Sequence, residues 1–181
     1  MTIKKKGDKM ETDECLKEWN ATIEALGQGK QTILIRVYRT SKEKFLLYPT
    51  KNYILKEDYM NSFKEKYHPF IKEHSKELSD NVKINYYATC EKVIEGSLNK
   101  VLKLDKNYIW TKQHVKNYVK GRKLYIWILR VYKLKNPKIV NQVPGQIYGR
   151  LPYKIDLKDS KPIINDRKFE ELIKEIEMSL N

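Results

Sequence analysis

The chain has 181 residues, 40% of them hydrophobic and 33% charged, with a formal net charge of +14. That length fits one domain, and that hydrophobic content fits one real core. No apolar run approaches about eighteen residues and no signal peptide opens the chain, so a membrane-spanning helix is excluded and a cytoplasmic chain with no membrane partner is expected.

Residues 1–10 hold Lys4, Lys5, Lys6 and Lys9 and almost nothing apolar, and read as a disordered basic lead-in to a single globular domain over 11–181. Leu16, Trp19, Ile23 and Leu26 fall at helical spacing, with Thr12 or Asp13 as cap, and Gly27 and Gly29 stop that helix. Residues 31–39 read as a strand, with Ile33, Ile35 and Val37 on one face and Thr32, Leu34, Arg36 and Tyr38 on the other. A polar turn over 40–44 leads to a second strand over 45–48, ended by Pro49, which predicts a hairpin. Residues 57–78 read as mostly helical, with Pro69 as a break. Residues 81–91 alternate, Val82, Ile84, Tyr86, Ala88 and Cys90 inward and Lys83, Asn85, Tyr87, Thr89 and Glu91 outward, as an antiparallel strand with one wet face does. Short helices follow over 97–104 and 111–120, the second stopped by Gly121. Residues 123–134, rich in Tyr, Ile, Trp and Val, form the longest predicted strand. Residues 137–152 read as a Pro/Gly loop, and a helix after Asp166 closes the chain with Phe169, Leu172, Ile173, Ile176 and Leu180 as its apolar stripe. This order is not a βαβ alternation. The predicted fold is α+β, a mixed or antiparallel sheet curled toward a barrel, with flanking helices.

Residues 101–140 carry eleven Lys or Arg against one acid, Asp105, and so hold ten of the fourteen net positive charges. Tyr108, Trp110, Tyr118, Tyr125, Trp127 and Tyr132 are threaded among them. Cations neutralise phosphates and rings stack on bases, so nucleic acid, DNA or RNA, is the first partner expected. Charge by itself selects no particular polyanion. Lys outnumbers Arg by 31 to 6, and this Lys/Glu-rich balance is also the signature of thermophile proteomes or of an AT-rich genome.

The residues expected to bind nucleic acid are Lys30, Arg36, Arg39, Lys112, Lys116, Lys120, Arg122, Lys123, Arg130, Tyr132 and Arg150. Lys30 follows a Gly-x-Gly turn that either lets backbone N–H groups approach a phosphate or caps a helix. Arg36 and Arg130 each sit mid-strand, two residues before Tyr38 and Tyr132. Either they face one cleft, or each is half of a buried ion pair, with Glu24 or Glu18 as the partner of Arg36.

Signals for catalysis are thin. Cys15 and Cys90 lie 75 residues apart, with neither metal spacing nor a disulfide framework, and read as reduced thiols. His68, His74 and His114 lack metal-ligand spacing, and no Gly-x-Ser-x-Gly elbow occurs. Glu91-Lys92 is the nearest approach to a Mg²⁺-nuclease cluster. No cofactor and no metal is expected, and catalytic residues are left open.

Four segments carry a family resemblance: Leu16-Lys17-Glu18-Trp19-Asn20, the run from Glu24 through Gly27-Gln28-Gly29-Lys30-Gln31-Thr32-Ile33-Leu34-Ile35-Arg36, Phe45-Leu46-Leu47-Tyr48-Pro49-Thr50, and Leu129-Arg130-Val131-Tyr132-Lys133-Leu134. In this order, over roughly residues 15–155, the chain resembles the uncharacterised family called domain of unknown function 1802. Members of that family place a Cys and a Trp after a late Tyr-Gly pair, where this chain departs with Tyr148-Gly149-Arg150-Leu151-Pro152-Tyr153. The resemblance implies no established activity, and through restriction-endonuclease-like partners of some members it implies a link to DNA defence or modification. Gly29-Lys30 through Arg36, after a helix and opening a strand, is also similar to the Gly-x-Lys-x-x-x-x-Arg region of ASCH domains, which belong to the PUA-like barrels. That likeness implies RNA binding or the reading of modified bases. The alternatives to a nucleic-acid-binding domain are a nuclease or base-acting hydrolase of a restriction-type system, with Lys30, Arg36 and Glu91 close together, and an interaction module for an acidic protein.

Overall fold

Both faces of the first element are covered, which is why its sequence does not alternate as a half-wet strand would. In a computed structural model that describes residues 10–75 and 80–181, Glu11–Trp19 is strand β1, not helix. Helix α1 starts only at Asn20 and ends at Gly27, so the apolar spacing of Leu16, Trp19, Ile23 and Leu26 spans a strand–helix junction. The predicted lead-in up to residue 9, and residues 76–78 of the predicted 57–78 helix, lie outside the described residues.

Strand β2 (Ile33–Arg36) and strand β3 (Lys44–Thr50) do not form the predicted hairpin. β3 lies parallel to β1 and antiparallel to β4 (Asn81–Gly96). β2 instead pairs antiparallel with β5 (Leu124–Asn141), Ile33 opposite Ile128 and Arg36 opposite Tyr125. With β6 (Tyr148–Asp156) beside β1 and the short β7 (Lys161–Pro162) on β5, the sheet has seven strands in the order β2-β5-β4-β3-β1-β6. The expected class stands: α+β, a mixed curled sheet with flanking helices.

The predicted loop over 137–152 is much shorter. β5 continues through Pro137 to Asn141, and β6 begins at Tyr148. Pro137 falls where the β4–β5 register breaks, between the pairs Ile84–Lys138 and Tyr86–Lys133, so its missing N–H removes no ladder bond. Within the predicted 57–78 helix the structure has two 3₁₀ turns, Tyr59–Ser62 and Glu65–Tyr67, followed by α2 (His68–Glu73). Pro69 sits in the first turn of α2, where a helix has spare donors, so it starts a helix and does not break one. Ser97 caps α3 (Leu98–Leu102) by accepting the Lys100 N–H, and Thr111 caps α4 (Lys112–Val119) by accepting that of His114. Lys120 and Gly121, both at positive φ, end α4. Asn165 caps α5 (Asp166–Leu180), which packs through Phe169, Ile176 and Leu180.

The buried apolar residues form two cores. One holds Leu16, Ile33, Phe45, Trp127 and Phe169. The second holds Cys15, Leu46, Tyr87, Leu134 and Leu151. Tyr87, expected outward, is buried because its face is this second core, where it stacks on Tyr132 with ring centroids 4.7 Å apart. Burial pushes the Cys15 thiol up to about 12, and both cysteines are free. Among the described residues no helix is long and apolar enough to cross a membrane.

The end of α1 is fitted against β4. A Cβ on Gly27 falls 2.3 Å from the ring of Tyr86. Gly27→Ala is expected to lower stability by about 1–3 kcal/mol, the usual cost of overpacking. A denaturant midpoint equal to that of the unsubstituted protein would show that the Tyr86 ring swings aside.

Candidate functional site

Where β1 runs out, its last residues meet α4, the segment after β2 and the loop 142–147 around a cavity of about 190 Å³. An ion pair between Arg36 and Glu18 lines it, each residue only 8% exposed. The Glu18 carboxylate also accepts the Trp19 backbone N–H at 2.8 Å. Arg36 donates to the Ile35 carbonyl at 2.9 Å and lies 6.0 Å from the Trp127 ring centroid. Of the two partners expected for Arg36, the structure selects Glu18.

The walls are aromatic. The His114 ring stands 5.4 Å from that of Trp19 and 6.1 Å from that of Trp110. Trp19 is held from behind by Tyr53, stacked at 5.0 Å. Tyr38 and Tyr118 complete the lining, and burial raises the Tyr38 hydroxyl against the opposing charge of Arg36. The Trp110 indole N–H is buried and has no hydrogen-bond partner among the described residues. A buried donor left unpaired is uncommon and points to a missing acceptor.

Helix α4 joins this cavity to the basic surface. His114, Val115 and Tyr118 face the cavity. Lys112, Lys116 and Lys120 are exposed on the same helix and make no ion pair among the described residues. The other expected binding residues are distributed differently. Arg122 folds back on the end of α4, its Nε 3.1 Å from the Val119 carbonyl, and complements the helix dipole. Lys123 and Arg39 converge on Glu95 at 2.8 and 3.1 Å, and those hydrogen-bonded cations hold the Glu95 carboxyl below its ordinary range. Arg150 is paired with Asp13 and Glu14. Lys30 is exposed on the turn after α1, 5.2 Å from the Phe70 ring centroid, and Tyr132 is packed on Tyr87.

Arg36 and Arg130 do not share a cleft. Arg36 stands opposite Tyr125, and Arg130 lies five positions further along β5, an odd offset that puts it on the other face. Its guanidinium is taken up by the Ile164 carbonyl and Asp166 at the head of α5. Lys17, Trp19, Trp110, His114 and Gln146 line the cavity beside Arg36 and Glu18, and no local pattern in the sequence groups them. Only the Glu18-Trp19 doublet just before a Gly-ended helix hinted at it, and helical spacing masked that signal.

These features define an α+β domain with an aromatic-walled cavity beneath a basic helix. The family model "Domain of unknown function (DUF1802)" matches residues 15–175, and the chain belongs to that family. No curated protein matches the sequence. Among solved structures it is similar to ASCH from Zymomonas mobilis, at 14% identity and a TM-score of 0.49 over 89% of this chain and 93% of that one. Two point mutants of that protein match alike, one at 14% identity and TM-score 0.49 over 90% of this chain and 97% of that one, the other at 13% and 0.48 over 89% and 96%.

Arg36→Ala strands the buried Glu18 carboxylate and is expected to cost about 3–5 kcal/mol in a denaturant melt. Arg130→Ala is expected to cost less, because its partner Asp166 is 85% exposed. Equal losses would refute the distinction between the two arginines.

Burial, reinforced by Lys56, lowers the His114 pKa. In the unfolded chain an imidazole titrates at about 6.5. Below that pH the unfolded chain binds a proton that the fold does not, so stability falls as pH drops and levels off once the lowered folded pKa is passed. His114→Gln is expected to flatten the melting temperature between pH 7 and 5.5 relative to the parent chain.

Proposed function

We propose that this protein binds nucleic acid in single-stranded or locally unpaired form, with phosphates along α4 and one base turned into the cavity. The observation that carries this reading is the placement of three exposed, unpaired lysines on the helix that also supplies the cavity wall. Cations in solvent suit phosphates, and desolvated rings suit a base face. The cavity is smaller than the roughly 300–1,000 Å³ of drug-sized ligand sites, which fits a single heterocycle. The unpaired Trp110 N–H and the Arg36–Glu18 pair supply donors and an acceptor for a base edge. The link to DNA defence or modification implied by the family resemblance makes modified bases the first ligands to compare.

The test is a salt-dependent titration against single- and double-stranded DNA and RNA. Replacing Lys112, Lys116 and Lys120 together by Glu is expected to weaken binding more than about tenfold at moderate salt and to flatten the salt slope. Lys123→Glu alone should do little by comparison, since Lys123 is held on Glu95 and lies off α4. Tryptophan fluorescence should be quenched on binding through Trp19 and Trp110. Absence of binding to every nucleic acid, with capture of an acidic protein by the same lysines, would replace this reading with that of an interaction module.

A further inference from the structure

The loop 142–147 separates the aromatic cavity from a second cleft of about 390 Å³. Lys17 lines both. Its backbone N–H donates to the Ile147 carbonyl at 2.8 Å and its ammonium donates to the Val143 carbonyl, so one residue holds both ends of the loop. The two spaces are therefore neighbours across a single side chain.

Their chemistry differs. The second cleft is walled by the end of β3, the start of β4 and the head of α1, and its lining is dominated by lysines and amides, among them Lys51, Lys83, Asn52, Asn85 and Gln142. Among the described residues no carboxylate lines it. Lys83 is exposed and makes no ion pair among the described residues. Ammonium groups bring charge and donors with no acceptor, and each amide adds an N–H₂ donor beside its own carbonyl. A cleft of that composition is matched to a ligand made of acceptor oxygens and negative charge, which is a phosphate.

We infer that this cleft holds the phosphate of the nucleotide whose base occupies the aromatic cavity, with Lys83 and Lys17 supplying the charge. The inference rests on the nucleic-acid reading above and places a backbone contact on the opposite side of the 142–147 loop from α4. It makes the loop a divider between base and phosphate, clamped by the residue that both spaces share.

The test uses the full chain and fluorescein-labelled, mixed-sequence single-stranded 15-mers of DNA and RNA. Lys83→Gln is expected to weaken binding by about three- to tenfold and to reduce the log–log salt slope by roughly 0.7, the share of one phosphate on a single strand. Lys133→Gln, an exposed lysine in the middle of β5 opposite Lys161 and outside the cleft lining, is the control for unspecific charge. Equal loss in both variants, or no change in Lys83→Gln while the α4 triple variant loses affinity, overturns the cleft and leaves the nucleic-acid reading intact. Failure of the unsubstituted protein to bind either strand overturns both. Inorganic phosphate at matched ionic strength should displace the strands no better than chloride. Displacement by sub-millimolar phosphate that vanishes in Lys83→Gln would assign the cleft to a free phosphate and overturn its role in holding a nucleotide.

Discussion

The contact between Arg36 and Glu18 is the constraint on which the rest of the molecule turns. Arg36 ends β2 and Glu18 lies near the end of β1, yet β5, β4 and β3 stand between those strands in the sheet. In a flat sheet four strand spacings are roughly 19 Å, beyond what one arginine and one glutamate can bridge. The ion pair therefore exists only because the sheet curls, and once formed it resists uncurling. Tyr148 of β6, whose hydroxyl donates to that of Thr40, reinforces the same closure. A buried ion pair is not strong evidence of net stabilisation, since desolvation offsets much of the attraction. Its contribution is to fix geometry, because either partner alone would be a stranded charge.

That closure also makes the cavity. The ends of β1 and β2 are brought within reach of each other, and α4, capped by Thr111 and stopped by Lys120 and Gly121, is laid across the gap. His114 is pressed between two tryptophans there and is driven toward its neutral form. A neutral, aromatic interior thus lies directly under a helix whose solvent side is cationic. Two environments with opposite preferences, one for an uncharged ring and one for an anion, are separated by the thickness of one helix.

The elements legible in the sequence were those that local chemistry ends. Gly121 and the α5 stripe each announced a helix, one through a left-handed turn that ends α4, the other through a 3.6-residue period. The strand at β4 was also readable, but its single inward face was not: the register shift between Ile84 and Tyr86 sends Val82 and Ile84 to one core and Tyr86 and Ala88 to the other. What failed was non-local. β1 looked helical because both its faces are buried and its apolar residues run on into α1, so period alone could not decide. The 31–48 hairpin failed because strand partners follow from the whole sheet, and β2 found β5 nearly ninety positions later. The cavity was illegible for the same reason, since its lining comes from the ends of elements far apart in sequence.

The basic composition deserves the same separation of local from global. Ten net charges over 101–140 suggested one continuous surface, but folding disperses them. Lys123 is spent on Glu95, Lys106 on Glu175 and Lys135 on Asp159, while Arg130 fastens the head of α5. Among the described residues Lys112 and Lys116 make no ion pair and lie one turn apart on α4, with Lys120 following at its left-handed C-cap. Like charges at that spacing repel by a few tenths of a kcal/mol per pair in an isolated helix. Among the described residues no carboxylate relieves it; an anionic partner would, and the counterions such a partner displaced would give its binding a salt dependence. These lysines therefore carry a local electrostatic cost in the unbound protein that a phosphate backbone along α4 would reverse.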